Sequence, residues 1–345
     1  MQWRSAWRIF VLFSVATTGV AAERSTGSLQ YLALTGPTVS YRMPLYSNRD
    51  LSRDLSATTL AIVVQHGHGR DAAAYFSTVA GLISEIPQAA EDVLLLAPQF
   101  FVRGEAHGDV PTWTAAGWMA GADASGMSVS SFDVYDHLLD WLAERKRFPR
   151  LRHIVLAGHS AGAQLVQRYA ALNESDERLR DHGITVRYIV ANPSSYIYFT
   201  NERPGASGFA PYSFTVCGTY DDYKYGFLNP ARYAAQVDPG SALERYGSRD
   251  IIYLLGANDT NPAHPQLDRT CAAMAQGKQR LERGLNYAAY LRYLGGVGGN
   301  IVPRAFEVDG VGHNQRRMFR SVCGVQALFE GAAAPAGAAT CHKVQ

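Results

Sequence analysis

The sequence has little charge, few cysteines and no basic block. Charged residues make up 18% of the 345 residues, with 32 basic and 30 acidic side chains. Because the two signs nearly balance and no basic stripe occurs, composition gives no support for a nucleic-acid partner. A hydrophobic content of 47% excludes an intrinsically disordered chain. The length is sufficient for a sizeable buried core.

The N-terminus is typical of a removable export signal. Arg4 and Arg8 form a positive start, 9–20 is a short apolar stretch, and 20–22 supplies small residues. The stretch is shorter than the ~20 residues that a membrane span needs, so we expect a signal peptide over 1–22 rather than an anchor. No other long apolar run follows it. We therefore expect a secreted or periplasmic protein with no stable membrane association.

The cysteines have no spacing that indicates a zinc site. The chain contains four of them, and no two lie at C-x2-C separation. An even count in an exported protein favours two disulfides, but four cysteines allow three pairings that the sequence does not distinguish. We favour Cys217 with Cys271 and Cys323 with Cys341. The second pair would tether an Ala-rich tail over 331–345.

Apolar runs of strand length alternate with helical patterns along the chain. This alternation predicts an α/β fold, a mostly parallel sheet with helices on both faces. The expected strands are 59–65, 92–97, 152–157, 186–191, 213–216, 251–255 and 304–308. The expected helices are 131–146, 161–172, 269–294 and 315–329. No repeat or linker divides the chain, so we expect one domain over 23–330.

A glycine–serine pattern connects one expected strand to the next helix. The residues Gly158-His159-Ser160-Ala161-Gly162 match G-x-S-x-G in full. A serine on such a sharp turn has a strained backbone, and the small neighbours relieve the crowding. The turn aims the hydroxyl at a helix N-terminus, which favours developing negative charge. The pattern predicts Ser160 as a nucleophile, and the alternative is an ordinary turn with a capping serine.

A serine nucleophile needs a base and a carboxylate that orients the base. His313 lies in a glycine-containing turn after the last expected strand and is the predicted base, unless it is a plain surface histidine. Asp259 follows the 251–255 strand and is the predicted carboxylate. Asp221 and Asp222 are alternatives, as is Asp309 despite its closeness to His313 in sequence.

The oxyanion that forms during acyl transfer needs backbone donors. We expect one from Ala161, directly after the nucleophile, and another from Gly67 or His68 in the turn His66-Gly67-His68-Gly69. The H-x-H spacing of this turn could instead indicate metal ligands. No third histidine or carboxylate lies at a matching spacing, which disfavours metal ligation. The serine mechanism itself requires no metal or organic cofactor, so none is expected.

Four turns together give the sequence a resemblance to the α/β-hydrolase superfamily. They are the H-G-x-G turn at 66–69, the G-H-S-A-G turn at 158–162, the G-x-N-D turn at 256–259 and the G-x-G-H turn at 310–313. The resemblance covers roughly residues 55 to 330 and is nearest to secreted serine esterases and polyester depolymerases. It implies a twisted, mostly parallel sheet and ester hydrolysis through an acyl-serine, without a cofactor. Ala163 departs from the second glycine of many relatives.

Long aromatic-rich loops at 100–130 and 194–230 should border the site. We expect them to bind a small-molecule or polymeric ester, although many aromatics could equally be core or loop anchors. The candidate substrate-contacting residues are His66, His159, Trp113, Trp118, Tyr196 and Tyr220. The Ala-, Gly- and Ser-rich stretch 110–130 disfavours long-chain lipids. A serine peptidase or amidase on the same fold, or a non-catalytic exported binding protein, stays open.

Overall fold

The computed structural model describes residues 27–86, 92–297 and 301–345. The expected signal peptide at 1–22 lies outside these ranges and stays a prediction. Within them, no helix combines the length and the apolar character that crossing a membrane requires.

A nine-stranded sheet runs through the described chain. The described residues form thirteen strands, nine of which belong to this sheet, while β5 pairs with β6 and β9 with β10. They are β1 (Leu29–Thr35), β2 (Ser40–Ser47), β3 (Leu60–Gln65), β4 (Val93–Pro98), β5 (Phe101–Val102), β6 (Thr112–Trp113), β7 (His153–His159), β8 (Thr185–Ala191), β9 (Glu202–Gly205), β10 (Gly208–Pro211), β11 (Asp250–Gly256), β12 (Arg304–Val308) and β13 (Cys341–Lys343). The sheet order is β1-β2-β4-β3-β7-β8-β11-β12-β13. Neighbours from β4 to β12 are parallel, whereas β1, β2 and β13 join antiparallel. The predicted α/β fold is confirmed.

Helices cover both faces of this sheet. They are α1 (Ala72–Glu85), α2 (Ser131–Leu142), α3 (Ala161–Leu172), α4 (Ser175–Asp181), α5 (Pro239–Gly247), α6 (Cys271–Met274), α7 (Arg280–Val297), α8 (Gln315–Phe319) and α9 (Val322–Leu328). Alternate residues of β3 enter different cores: Ala61 and Val63 pack with α2 and α3, Ile62 and Val64 with α1 and α9. Since strand side chains alternate in direction, burial on both faces makes the strand apolar throughout.

Two helices that the sequence predicts as continuous are each divided. The expected helix 269–294 is interrupted at Gly277, whose φ of +142° lies outside helical conformations. The expected helix 315–329 breaks at Ser321, whose side chain caps α9 by accepting a hydrogen bond from the Gly324 N–H. The expected strand at 213–216 is a turn instead, in which the Cys217 N–H donates to the Ser213 carbonyl at 3.1 Å.

Two disulfides join elements that are distant in sequence. Cys217–Cys271 links α6 to the segment between β8 and β11, and Cys323–Cys341 links α9 to β13. Their Cα separations of 5.7 and 6.2 Å are ordinary for disulfides. The pairing is the one that the sequence favours. The tail therefore ends as an edge strand on β12, held by a covalent bond.

Candidate active site

Ser160 lies on a sharp turn between β7 and α3. Its backbone has φ of +61° and ψ of −120°, a conformation that typically costs about 1–3 kcal/mol in a non-glycine residue. The flanking glycines make the turn possible. A Cβ on Gly158 would overlap the backbone of Gly162, and a Cβ on Gly162 would lie 2.5 Å from the Gln65 carbonyl oxygen. The G-x-S-x-G pattern is thus required by close packing of β3, β7 and α3.

The structure brings Ser160, His313 and Asp259 together at the carboxyl ends of parallel strands. His313 Nε2 lies 2.9 Å from Ser160 Oγ, and His313 Nδ1 lies 2.7 Å from Asp259 Oδ2. Ser160 is 5% exposed and Asp259 is 3% exposed. These distances suit a base that takes the serine proton and a carboxylate that holds the resulting imidazolium.

The alternative carboxylates are engaged elsewhere. Asp221 Oδ1 accepts a hydrogen bond from Arg203 at 3.0 Å. Asp222 Oδ1 accepts one from the Asn229 side chain at 2.8 Å. Asp309 Oδ2 accepts one from the Thr340 hydroxyl at 2.6 Å, which ties β12 to the tail. None of these interactions places a carboxylate on His313.

A buried guanidinium lies behind the Asp259 carboxylate. Arg280 Nη1 is 3.5 Å from Asp259 Oδ1, its Nε donates to Ser194 Oγ at 3.1 Å, and its Nη2 is 3.5 Å from His264 Nδ1. The next residue, Leu281, donates its N–H to the Asp259 carbonyl at 3.2 Å. The start of α7 therefore holds both the carboxylate and the backbone carbonyl of Asp259. Sequence reasoning missed Arg280 because it lies inside a helix predicted to be continuous.

A small cleft opens above Ser160. Its volume is about 230 Å³, below the ~300–1,000 Å³ of common ligand sites. Besides Ser160 and His313, its polar lining consists of His68, Asp71, Tyr75, His159, Gln266, Asn314 and Gln315. A larger cavity of about 710 Å³ lies at the opposite ends of the strands, beside Thr59 and Asp250. We therefore identify the candidate active site by the side chains that line the cleft, Ser160 and His313, and not by cavity volume.

No protein-family model matches the chain, and no curated protein sequence matches it. Solved structures do. A poly(3-hydroxybutyrate) depolymerase, LpqC from Bordetella parapertussis, is similar with a TM-score of 0.59 and 18% identity, over 90% of this chain and 93% of that one. Poly(aspartic acid) hydrolase-1 from Sphingomonas sp. KT-1 is similar with a TM-score of 0.56 and 22% identity, over 84% and 95%. The chain has the α/β-hydrolase fold.

The turn after β3 in this α/β-hydrolase fold is held by a buried histidine. His66 Nδ1 lies 3.0 Å from the Gly67 carbonyl, and the Phe100 N–H donates to His66 Nε2 at 3.1 Å. Burial lowers the pKa of His66 to about 4. Both ring nitrogens are thus engaged with the main chain, which argues against the predicted substrate contact.

Within the described ranges, no group of three or more His, Cys, Asp or Glu side chains is arranged to hold a metal ion.

His159, by contrast, does line the cleft. Its ring centroid is 4.6 Å from that of His313, and Tyr75 Oη lies 3.4 Å from its Nδ1. Burial lowers the pKa of His159 well below its ordinary value, and the nearby His313 and Arg280 act in the same direction. The side chain is therefore neutral, and only 3% of the residue is exposed.

The aromatic residues predicted to contact substrate lie in the core instead. They are Trp113, Trp118, Tyr196 and Tyr220, each at most 1% exposed. None of them lines the cleft. Trp118 packs edge-on against His66 at 4.7 Å, and Tyr196 stacks on Tyr287 at 4.3 Å. Because large rings stabilise a core by burying area, the loops that carry them are anchored by these side chains. The expectation of substrate contact is corrected accordingly.

Proposed function

We propose that the protein is a secreted serine hydrolase that cleaves carboxylic esters through an acyl-serine intermediate. The observation that carries this proposal is the hydrogen-bonded series Ser160–His313–Asp259, with distances of 2.9 and 2.7 Å. Its position on the turn after β7 of an α/β-hydrolase fold adds support. The two disulfides favour an oxidising compartment, in agreement with export.

In the proposed mechanism, Ser160 Oγ attacks the acyl carbonyl while His313 Nε2 takes its proton. Asp259 stabilises the imidazolium through Nδ1, and the Ala161 N–H with the 67–68 turn binds the oxyanion. The protonated His313 then donates its proton to the leaving alcohol. Water attacks the acyl-serine by the same route, which restores the free serine and releases the acid.

The cleft favours short or polar acyl groups. Its volume is about 230 Å³ and it is lined largely by histidine, amide, carboxylate and phenol side chains. An extended alkyl chain would gain little there, because apolar burial supplies about 0.8 kcal/mol per methylene only against apolar walls. A polyester made of short hydroxy acids fits this chemistry, and the similarity to a poly(3-hydroxybutyrate) depolymerase supports a polymeric ester.

Amide hydrolysis is the second candidate function. The similarity to a poly(aspartic acid) hydrolase favours it, because aspartic acid units are joined by amide bonds. The same three residues could serve either reaction, since a protonated His313 can protonate an amine as well as an alcohol.

The test is hydrolysis of p-nitrophenyl esters from acetate to decanoate, with p-nitroanilides in parallel. We expect turnover to be highest for short esters, and Ser160→Ala to lower kcat by about 10⁴-fold or more. Ser77→Ala, an exposed serine on α1, is the matched control and should be unchanged. Equal activity of Ser160→Ala and wild type would contradict the proposal, as would a wild type that hydrolyses anilides but no ester.

A further inference from the structure

The Tyr75 hydroxyl lies against the turn that is proposed to bind the oxyanion. Tyr75 is on α1 and lines the cleft together with Ser160 and His313. A Cβ added to Gly67 would lie 2.5 Å from Tyr75 Oη and 3.5 Å from Ser160 Cβ. The phenol oxygen is therefore close to the nucleophile, and a side chain on residue 67 would overlap it. This proximity gives Gly67 a steric reason to be glycine.

The neighbouring histidine determines which atom carries the proton. His159 is neutral, so one ring nitrogen donates and the other accepts. Its Nε2 is buried and has no hydrogen-bond partner among the described residues, whereas its Nδ1 is 3.4 Å from Tyr75 Oη. A buried N–H without an acceptor is rarer in proteins than an unpaired acceptor. The proton therefore lies on Nδ1 and is donated to Tyr75 Oη.

The phenol proton of Tyr75 is left available for a ligand. The phenol oxygen accepts the hydrogen bond from His159 Nδ1 and lies against Gly67. Burial raises the pKa of Tyr75, so the hydroxyl keeps its proton at every working pH. Donors into the phenol oxygen strengthen the bond that its own O–H can make. In the described part of the chain, His159 is the only side chain within hydrogen-bond distance of this hydroxyl, and because it donates, no acceptor takes the phenol proton.

We propose that Tyr75 is a catalytic residue that donates a third hydrogen bond to the oxyanion. Its O–H would stabilise the negative charge beside the N–H groups of Ala161 and of the turn at Gly67 and His68, while its proton stays on the phenol. His159 is then a positioning residue, which holds the phenol through Nδ1. This inference rests on the proposed function, since an oxyanion forms only if Ser160 attacks an acyl group.

The test is Tyr75→Phe, which removes the hydroxyl and keeps the ring in place. Losing one oxyanion donor typically lowers kcat by about 10²–10³-fold, so we expect a fall of about 10²-fold on p-nitrophenyl acetate with KM changed less than about threefold. Tyr198→Phe is the matched control: Tyr198 is fully buried, and its hydroxyl has no partner within residues 27–86, 92–297 and 301–345. Its kcat should stay at the wild-type value.

Inhibition by phenylboronic acid supplies a second readout. The boronate adds to Ser160 Oγ as a tetrahedral anion that places an oxygen where the oxyanion forms, so Tyr75→Phe should weaken inhibition by about tenfold or more. A kcat within twofold of wild type together with unchanged inhibition would overturn the role of Tyr75 alone. A wild type that neither hydrolyses esters nor reacts at Ser160 with a fluorophosphonate would overturn the proposed function and this inference together.

Discussion

Two regions of the molecule use buried polar groups in opposite ways. The first is the site corner, the turns that follow β3, β7, β11 and β12. There His313 lies between the side chains of Ser160 and Asp259, and the hydroxyl still faces the cleft. The second is the insertion, residues 192–249 between β8 and β11. There Arg203 is buried, and its guanidinium donates to the carbonyl oxygens of Thr200 and Tyr220.

The difference follows from how the backbone hydrogen-bonding groups of each region find partners. Besides the helix α5, the insertion contains only the short strands β9 and β10, so many of its carbonyls need partners other than a sheet neighbour. A buried arginine can satisfy several of them at once. The corner turns are short and follow strands directly, so few of their backbone groups need a side chain as a hydrogen-bond partner. Their side chains are therefore free to take part in the proposed reaction. We therefore expect changes in the corner to lower kcat and changes in the insertion to lower stability.

The largest expected effect is at the base of the proposed triad. His313→Gln removes the proton acceptor of Ser160, and we expect kcat to fall by about 10⁴-fold or more. Thermal unfolding should change little, because Asp259 keeps its contact with Arg280 at 3.5 Å. Ester hydrolysis and calorimetry measure the two quantities. His342→Gln, an exposed histidine on β13, is the control; a comparable loss of kcat there would contradict the assignment.

The insertion should show the reverse behaviour when its disulfide is removed. Replacing Cys217 and Cys271 with serine opens a loop of 54 residues, which the chain-entropy relation values at about 4 kcal/mol of unfolding free energy. Replacing Cys323 and Cys341 opens 18 residues and should cost about 3 kcal/mol. We expect kcat to stay within about threefold in both variants. Urea unfolding under non-reducing conditions tests the ranking.

A folded variant without the Cys217–Cys271 bond that loses most of its kcat would break the comparison. It would mean that the insertion positions the loop from Asp259 to α6 for chemistry as well as for stability. The tail disulfide supplies the matched reference, since it joins α9 to β13 and neither of its cysteines lines the cleft.

The corner is the part of the molecule that the sequence predicts well. The constraint at Ser160 is local: the glycines at 158 and 162 are needed because two backbones pass within contact distance. Ser160, Asp259 and His313 each lie shortly after a strand of the parallel sheet. Such strands are buried on both faces, and their continuous apolar runs are easily recognised in the sequence. The edge strand β1 and its neighbour β2 carry exposed residues and are not among the predicted strands.

The insertion is the part that the sequence does not predict. Tyr196 in the insertion, like Trp118 in the loop at 100–130, has the same residue type whether it faces substrate or the core, and local patterns do not distinguish the two. Their burial depends on partners far away in sequence, such as Tyr287 on α7. Arg280 was missed for the same reason, because its contact with Asp259 exists only once α7 begins beside the β11 turn.

His66 is the residue that could break the comparison, because it belongs to the corner yet should act on stability. Burial lowers its pKa to about 4, whereas in the unfolded chain the value is near 6.5. Below pH 6.5 the unfolded state therefore binds more protons, and the unfolding free energy falls as the pH drops towards 4. The loss from this residue is about 3 kcal/mol.

Urea unfolding of wild type and His66→Gln between pH 7 and pH 4 measures this contribution. We expect the wild type to lose stability more steeply than the variant, while His182→Gln, an exposed histidine, follows the wild type. His159 remains in all three proteins, so its own titration cancels from the difference. Parallel curves for wild type and His66→Gln would show that His66 carries no acid sensitivity. A difference would show that the corner, too, depends on buried polar groups for its stability.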